Sequence, residues 1–416
     1  VDDRQRIDHL FKQSLFEALA RRRTRRFGLG YKINDGITNY ESKKAPIPLT
    51  ELELAILCWA ADGVNGLAFG EQQVVTGVMS SWSGRVHPCP CNSQNSVLAF
   101  INDDGIFLYK PPAATQLVEI KTPEDRLKIL DVYRKHTVRI VDKRPQIPDM
   151  AWLSSNRWGV NKEGTTFFLP IIDVTAEYIN FLLFAFGQEG YYIYDNIAGK
   201  PAGTQRWIDK GVFDAEFSMP LVMFENFIFN LVVSMAHYKI QNLSLACEVM
   251  GLGCWAHTGF APFVLLGETP LCRGLGATFV RGKDGIPNPV ALKNHLESYC
   301  PPNYKSMDEA VDAIIADRWG ENGIFVSGYT GSTPIKKWKN KVDNIPKYSE
   351  LILQVAKDYC NYILDEYGRF PAFIDSLLVP VGATVHHVDL DYYKTYYPPD
   401  ALTEHFHNHM KIWHED

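Results

Sequence analysis

Cysteine is too sparse in this chain for a disulfide framework: eight residues among 416, far below the density that staples small secreted domains. Cys89 and Cys91 form Cys-Pro-Cys rather than Cys-x-x-Cys, which indicates neither a zinc ribbon nor a thioredoxin-type redox pair. Positive charge is not in excess either. The formal net charge is -6, so the global basic footprint of a nucleic-acid binder is missing. Long apolar runs are missing too. Tyr178 to Gly187 and Phe224 to Ala236 are shorter than a bilayer needs and carry Asn180, Glu225, Asn226 and Asn230, so both are expected to be buried core. The first residues, Val-Asp-Asp-Arg-Gln-Arg, do not resemble a secretory leader, and no short-period repeat stands out. These absences predict a cytoplasmic protein with neither nucleic acid nor membrane as partner. With 46% hydrophobic residues, the length suffices for two or three domain-sized units.

What is present begins with a dense basic stretch, Arg21-Arg22-Arg23-Thr24-Arg25-Arg26-Phe27. Guanidinium forks and a hydroxyl suit phosphate oxygens, whereas a charge run can equally be a solvated face. Ile7 to Arg23 reads as an amphipathic helix leading into it. Thr50 and Glu53 have capping-box spacing ahead of a helix over Glu51 to Ala61. A polar loop, Ser80 to Ser96, feeds a hairpin of Val97 to Ile101 and Ile106 to Tyr109. Further on, helices are expected over Leu127 to Val138, Glu177 to Phe186, Phe224 to His237, Gln241 to Met250, Asp308 to Asp317 and Tyr348 to Tyr367. Strands are expected at Phe167 to Ile172, Tyr191 to Asp195 and Pro262 to Leu266, with a loop over Trp255 to Phe260. Glycine and proline become frequent after Gly267, which suggests a boundary near residue 268.

The order of these segments resembles the FMN-dependent nitroreductase-like superfamily. That family opens with a helix and Arg-Arg-Ser-x-Arg-x-Phe; here Arg22-Arg23-Thr24-Arg25-Arg26-Phe27 follows a helix, with the phenylalanine one residue early. Pro90-Cys-Asn-Ser-Gln-Asn-Ser96 stands for a Pro-Ser-x-x-Asn-x-Gln loop, and the hairpin after it is nearest the azoline-oxidase branch. Gln241-Asn-Leu-Ser-Leu-Ala-Cys-Glu-Val-Met-Gly-Leu-Gly253, followed by Gly259-Phe260, is the most specific match. The likeness covers roughly residues 5–115 and 220–268.

The resemblance implies an α+β nitroreductase-like fold: a mainly antiparallel central sheet flanked by helices, an obligate homodimer, and a C-terminal extension. Residues 1–267 would be the FMN-binding core, with 116–219 a variable insertion plus core elements. Residues 268–416 would be an extension that can wrap the partner. Arg22, Arg23 and Thr24 would hold the FMN phosphate and ribityl chain, and Arg26 the N1–C2 carbonyl edge, where reduced flavin carries negative charge. Asn92, Ser93, Gln94 and Asn95 would meet ribityl hydroxyls or the ring edge, unless they only form the turn. Thr258 and Gly259 would offer backbone N–H groups near N5. Arg21 and Arg25 are expected to face solvent. The implied activity is hydride transfer between FMN and a small organic substrate, either nitro or quinone reduction with NAD(P)H as donor, or substrate dehydrogenation. His257, Cys254 and His87 are the candidate proton donors. A flavin-fold protein serving as a non-catalytic binding or scaffold partner is an alternative.

Half of the twelve histidines lie at the end: His386, His387, His405, His407, His409 and His414. His405 and His409 share a helix face and could ligate a metal, which would make a metal-dependent enzyme a further alternative. No strict metal signature is present, and the expected role of this aromatic tail is docking on the partner subunit.

Overall fold

The computed structural model describes residues 2–67, 83–91, 94–112, 118–267, 270, 272–326, 343–374 and 381–415. A seven-stranded sheet runs through its centre, antiparallel at every pairing. In chain order its strands are β1 (Ser96–Asn102), β2 (Gly105–Tyr109), β3 (Thr137–Asp142), β4 (Thr166–Asp173), β5 (Leu252–His257), β6 (Phe373–Ile374) and β7 (Gly382–His387). Across the sheet the order is β5-β7-β4-β1-β2-β3, with β6 pairing the end of β4. β1 and β4 are buried at every residue, so each reads as an unbroken apolar run instead of an alternating one. Leu98, Phe100, Phe168 and Ile172 face one core; Val97, Ala99, Phe167, Leu169 and Ile171 face a second. The chain is thus mixed helix and antiparallel sheet, as expected.

The longer helices are α1 (Asp3–Leu10), α2 (Leu15–Arg21), α3 (Glu51–Asp62), α4 (Lys128–His136), α5 (Thr175–Phe184), α6 (Leu221–Met250), α7 (Met307–Trp319), α8 (Glu350–Tyr367), α9 (Leu390–Tyr396) and α10 (Glu404–Trp413). α3 starts on the expected capping box: Thr50 Oγ1 accepts from Glu53 N–H, and Glu53 Oε2 accepts from Thr50 N–H at 2.7 Å. The single amphipathic helix expected at the start is instead two, because Ser14 caps a fresh helix at Leu15.

Near the sheet, four expectations are corrected. The stretch at Trp255, expected as loop, is strand β5, which pairs with β7 along its whole length. Pro262–Leu266, expected as a strand, is a short helix closed by Gly267 in the left-handed region. The two helices expected around residue 239 are one helix of 30 residues. By length and composition α6 could cross a membrane, yet its buried residues, Phe224, Ile228, Val232, Met235, Lys239, Leu243 and Cys247, recur every three to four positions and form one face of the core. Finally, the division expected at residue 267 does not describe the sheet. β7, from the chain's last tenth, lies inside it, between the edge strand β5 and β4.

The tail beyond β7 docks on its own chain. Phe27 stacks on Tyr392 with ring centroids 4.0 Å apart, and Tyr31, Tyr393, Leu402 and Phe406 complete this small aromatic core. The tail is therefore packed against the arginine stretch of its own chain.

Candidate functional site

The arginine stretch leaves α2 at Arg22 in extended conformation and runs beside the C-terminal end of α6. There it sorts its side chains. Arg25 is buried, correcting the expectation that it faces solvent. Its guanidinium donates to Glu248 at 2.7 Å, to the Arg23 carbonyl at 3.1 Å and to the Ala401 carbonyl at 2.9 Å. It also lies 4.4 Å from the centre of the Phe406 ring. A buried guanidinium needs this many acceptors to offset its lost hydration. Burial still raises the Glu248 carboxyl, against the pull of Arg25. With Arg25 anchored inward, Arg23, Thr24 and Arg26 are exposed and Arg22 is half-buried. Among the described residues neither Arg22 nor Arg26 forms an ion pair. Arg26 lies 4.5 Å above the ring of Trp255, a cation–π contact that holds it flat against β5.

Trp255 and His257 point to the same side of β5, with ring centroids 4.7 Å apart. Trp152, Phe167 and Phe260 close the box around His257. Its Nε2 is 3.3 Å from Thr384 Oγ1, while its Nδ1 is buried with no partner among the described residues. Burial, helped by the Arg26 charge, pushes its pKa down to about 4. At neutral pH this imidazole is uncharged, suited to orienting a ligand by one N–H more than to delivering a proton from an imidazolium.

The other two candidate proton donors lie elsewhere. Cys254 points to the opposite sheet face, into the larger core, 3.5 Å from Ser244 Oγ. His87 is buried between Asp62 (3.2 Å) and the Pro88 carbonyl (2.9 Å). Asp62 in turn meets Lys239 Nζ at 2.6 Å, with both side chains fully buried, and Lys239 also donates to Ser96. Burial alone would raise the Asp62 carboxyl, but Lys239 and His87 outweigh it and hold it at about 2. This polar chain had no signature in the sequence beyond one lysine inside an apolar helix.

Asn92 and Ser93 fall outside the described residues. Gln94 is buried in a left-handed conformation, φ 54°, and Asn95 donates to Asp173 at 2.6 Å. Asn95 sits level with Asp173, whereas Gly253, beside the arginines, sits level with Thr165. At about 3.3 Å per residue these groups are roughly 25 Å apart along the strands. One copy of the chain therefore does not bring Arg22–Arg26 and Gln94–Asn95 to a common point. Thr258 is exposed just past β5. Gly259 gives its carbonyl to Leu153 N–H at 3.0 Å, and a Cβ there would come within 2.3 Å of Asn156. That neighbour is the end of a side chain, which can shift to make room.

The Gly-Leu-Gly turn has a local cause. Gly251 caps α6 with φ 80°, and a Cβ on it would strike the His405 carbonyl at 2.3 Å. At Gly253 a Cβ would lie 2.5 Å from His386 Nε2 and 2.9 Å from the Arg25 carbonyl. Gly253→Ala is expected to cost about 1–3 kcal/mol, as forced overpacking does, read as a lower urea midpoint with unchanged m-value.

His409 lies in a buried cluster with Glu53, His387 and His414; His405 is not a member of it.

No family model matches the chain. No curated protein matches it. Among solved structures it is similar to a "putative nitroreductase" from Ralstonia eutropha JMP134, with 15% identity and a TM-score of 0.28, over 60% of this chain and 71% of that one. A likeness so slight leaves the functional reading to the chain's own residues.

Proposed function

We propose that the chain is an FMN-dependent oxidoreductase of nitroreductase type that moves a hydride between flavin and a small organic substrate. The observation that carries this reading is the sorting of the arginine stretch. With Arg25 buried on Glu248, Arg23, Thr24 and Arg26 are exposed and Arg22 is half-buried beside them, with Arg26 against Trp255 beside the orphaned Nδ1 of His257. This set fits a phosphorylated cofactor with a polar ring edge. FMN would supply the hydride chemistry. Arg22, Arg23 and Thr24 would bind its phosphate, and Arg26 would stabilise negative charge at the ring edge. His257 would orient substrate or cofactor through its N–H.

The same reading makes the protein a cytoplasmic homodimer. α6 exposes Val222, Met223, Phe227 and Tyr238, and α2 exposes Leu15, Phe16 and Leu19. These are apolar faces that a second copy would cover. A second copy would also be needed to bring Gln94 and Asn95 toward the arginines. NAD(P)H is the proposed electron donor for a reductase; dehydrogenation of a substrate is the reverse use of the same site.

The test is reconstitution with FMN followed by fluorescence titration. The wild type is expected to turn yellow and to be reduced by NAD(P)H or by substrate. Arg22→Ala/Arg23→Ala is expected to bind FMN at least about tenfold more weakly, corresponding to the low end, ~1.5 kcal/mol, for hydrogen bonds to charged groups. Folded wild-type protein that takes up no FMN sinks the reading.

A further inference from the structure

The buried cluster on the other face of the sheet draws four residues from three separate elements. Glu53 comes from the first turn of α3, His387 from the end of β7, His409 from α10, and His414 from the residue that ends α10. One ligand-competent atom from each lies within 4.8 Å of the others. His409 Nε2 is 2.9 Å from His387 Nδ1 and 3.2 Å from Glu53 Oε1, and His414 Nε2 is 3.4 Å from the same Oε1.

The hydrogen bonds outside the cluster fix which atoms carry protons. His409 Nδ1 faces the Met250 carbonyl at 2.7 Å, and a carbonyl only accepts, so the proton sits on Nδ1 and Nε2 keeps its lone pair. His387 Nε2 faces the Pro48 carbonyl at 3.4 Å, which leaves its Nδ1 bare by the same logic. Glu53 Oε2 is held by Thr50 N–H at 2.7 Å and Oγ1 at 2.9 Å, which aims Oε1 at the imidazoles. With one proton on each of these two imidazoles, the lone pairs of His387 and His409 and the Glu53 carboxylate oxygen converge in a buried space, an arrangement that repels unless a cation, an added proton or a metal ion, sits among them. Outer partners that set the tautomers of His387 and His409 and orient the carboxylate are what metal-ligating residues have.

We propose that Glu53, His387, His409 and His414 form a zinc site that fastens the C-terminal segment to the core. Three imidazoles and one carboxylate are a zinc donor set. Zinc–nitrogen bonds of about 2.0–2.1 Å place tetrahedral ligands roughly 3.3 Å apart; three of the pairs here are 2.9–3.4 Å apart and all lie within 4.8 Å. All four positions are filled by protein, which makes the site structural and not catalytic. The ion joins α10 and β7 to α3, and so holds the aromatic tail over the arginine stretch. The proposal does not depend on the flavin reading.

The test uses the full chain, free of any affinity tag, stripped with a chelator and titrated with zinc chloride. One zinc per chain is expected to survive desalting, with a rise in Tm on loading. His405→Ala, on the same helix but outside the cluster, is expected to match wild type. His409→Ala and His414→Ala are expected to lose at least tenfold in zinc affinity, while His414→Cys, which restores a ligand, retains binding. Should His409→Ala not fold, His414→Ala decides, being near the chain's end and half-buried. A folded wild-type chain that takes up no zinc, meaning that protons alone hold the cluster, overturns the proposal. So does a His414→Ala variant that binds zinc as wild type does.

Discussion

Replacing Lys239 by Met, or Asp62 by Asn, should each destabilise the fold by about 3–5 kcal/mol, the cost of leaving one charge of a buried pair without its partner. Lys239 Nζ and Asp62 Oδ2 are 2.6 Å apart and both side chains are fully buried. Burial pushes the Lys239 ammonium pKa down while Asp62 pulls it up, so each charge depends on the other. His87 and Ser96 complete the set of partners. The pair ties the C-terminal turn of α3 to the middle of α6, beside the first residue of β1, so three layers loosen together when it breaks. The double variant Asp62→Asn/Lys239→Met should recover most of the loss, because both charges are gone and the volume is kept. Urea unfolding of the wild type, both singles and the double gives the coupling directly. Single variants within 1 kcal/mol of wild type would show that the pair does not hold the fold.

That lysine also shows why part of the architecture was hidden in the sequence. Within an otherwise apolar stretch, Lys239 reads as a break, and two helices were expected where one runs continuously. The charge is tolerated inside only because Asp62, far away in sequence, meets it there. Local signals did better. The Thr50–Glu53 capping box, the hairpin around Asn102 to Gly105, and the glycine stop after Met250 each rest on neighbours in the chain and are where they were expected. Strand β7 gives no such signal: Gly382-Ala-Thr-Val-His-His387 is short and ends in histidine, so its place inside the sheet, second from the edge, is not legible.

The candidate sites divide in the same way. The basic stretch was visible, but which arginine turns inward is decided by Glu248, and no spacing rule connects residues 25 and 248. Helical periodicity joined His405 to His409, whereas in three dimensions His409 meets residues from α3 and β7 and the histidine just past its own helix. The sequence alone places Trp255 in a loop, where nothing marks it as a shelf for Arg26. In each case the missing information was a long-range contact made by a polar or aromatic side chain.

A second large effect should appear as a pH dependence that one substitution removes. Glu225, on α6, accepts from the Tyr178 hydroxyl at 3.0 Å, and Tyr178 in turn contacts Tyr359 at 2.8 Å. It lines a cavity of about 620 Å³ with Asp284, Tyr367 and Arg369. Burial raises its carboxyl to about 7; Tyr178 and Arg369 pull it down, and Asp195 adds to the rise. The folded-state pKa therefore lies above the unfolded value of about 4.5. Between those values the folded chain keeps a proton that the unfolded chain has released, so the folded state is progressively disfavoured as pH rises from about 4.5 to about 7. Above that window the full cost is present, about 2–3 kcal/mol after allowing for partial exposure. Glu225→Gln keeps the volume and an acceptor for Tyr178 but cannot ionise. It should be more stable than wild type at pH 8 by about that amount, with the difference vanishing near pH 4.5. Other carboxylates titrate over the same range, so the informative quantity is the difference between the two urea midpoints at each pH. A difference that stays constant from pH 4.5 to 8 would mean that Glu225 ionises in the folded chain as readily as in the unfolded one.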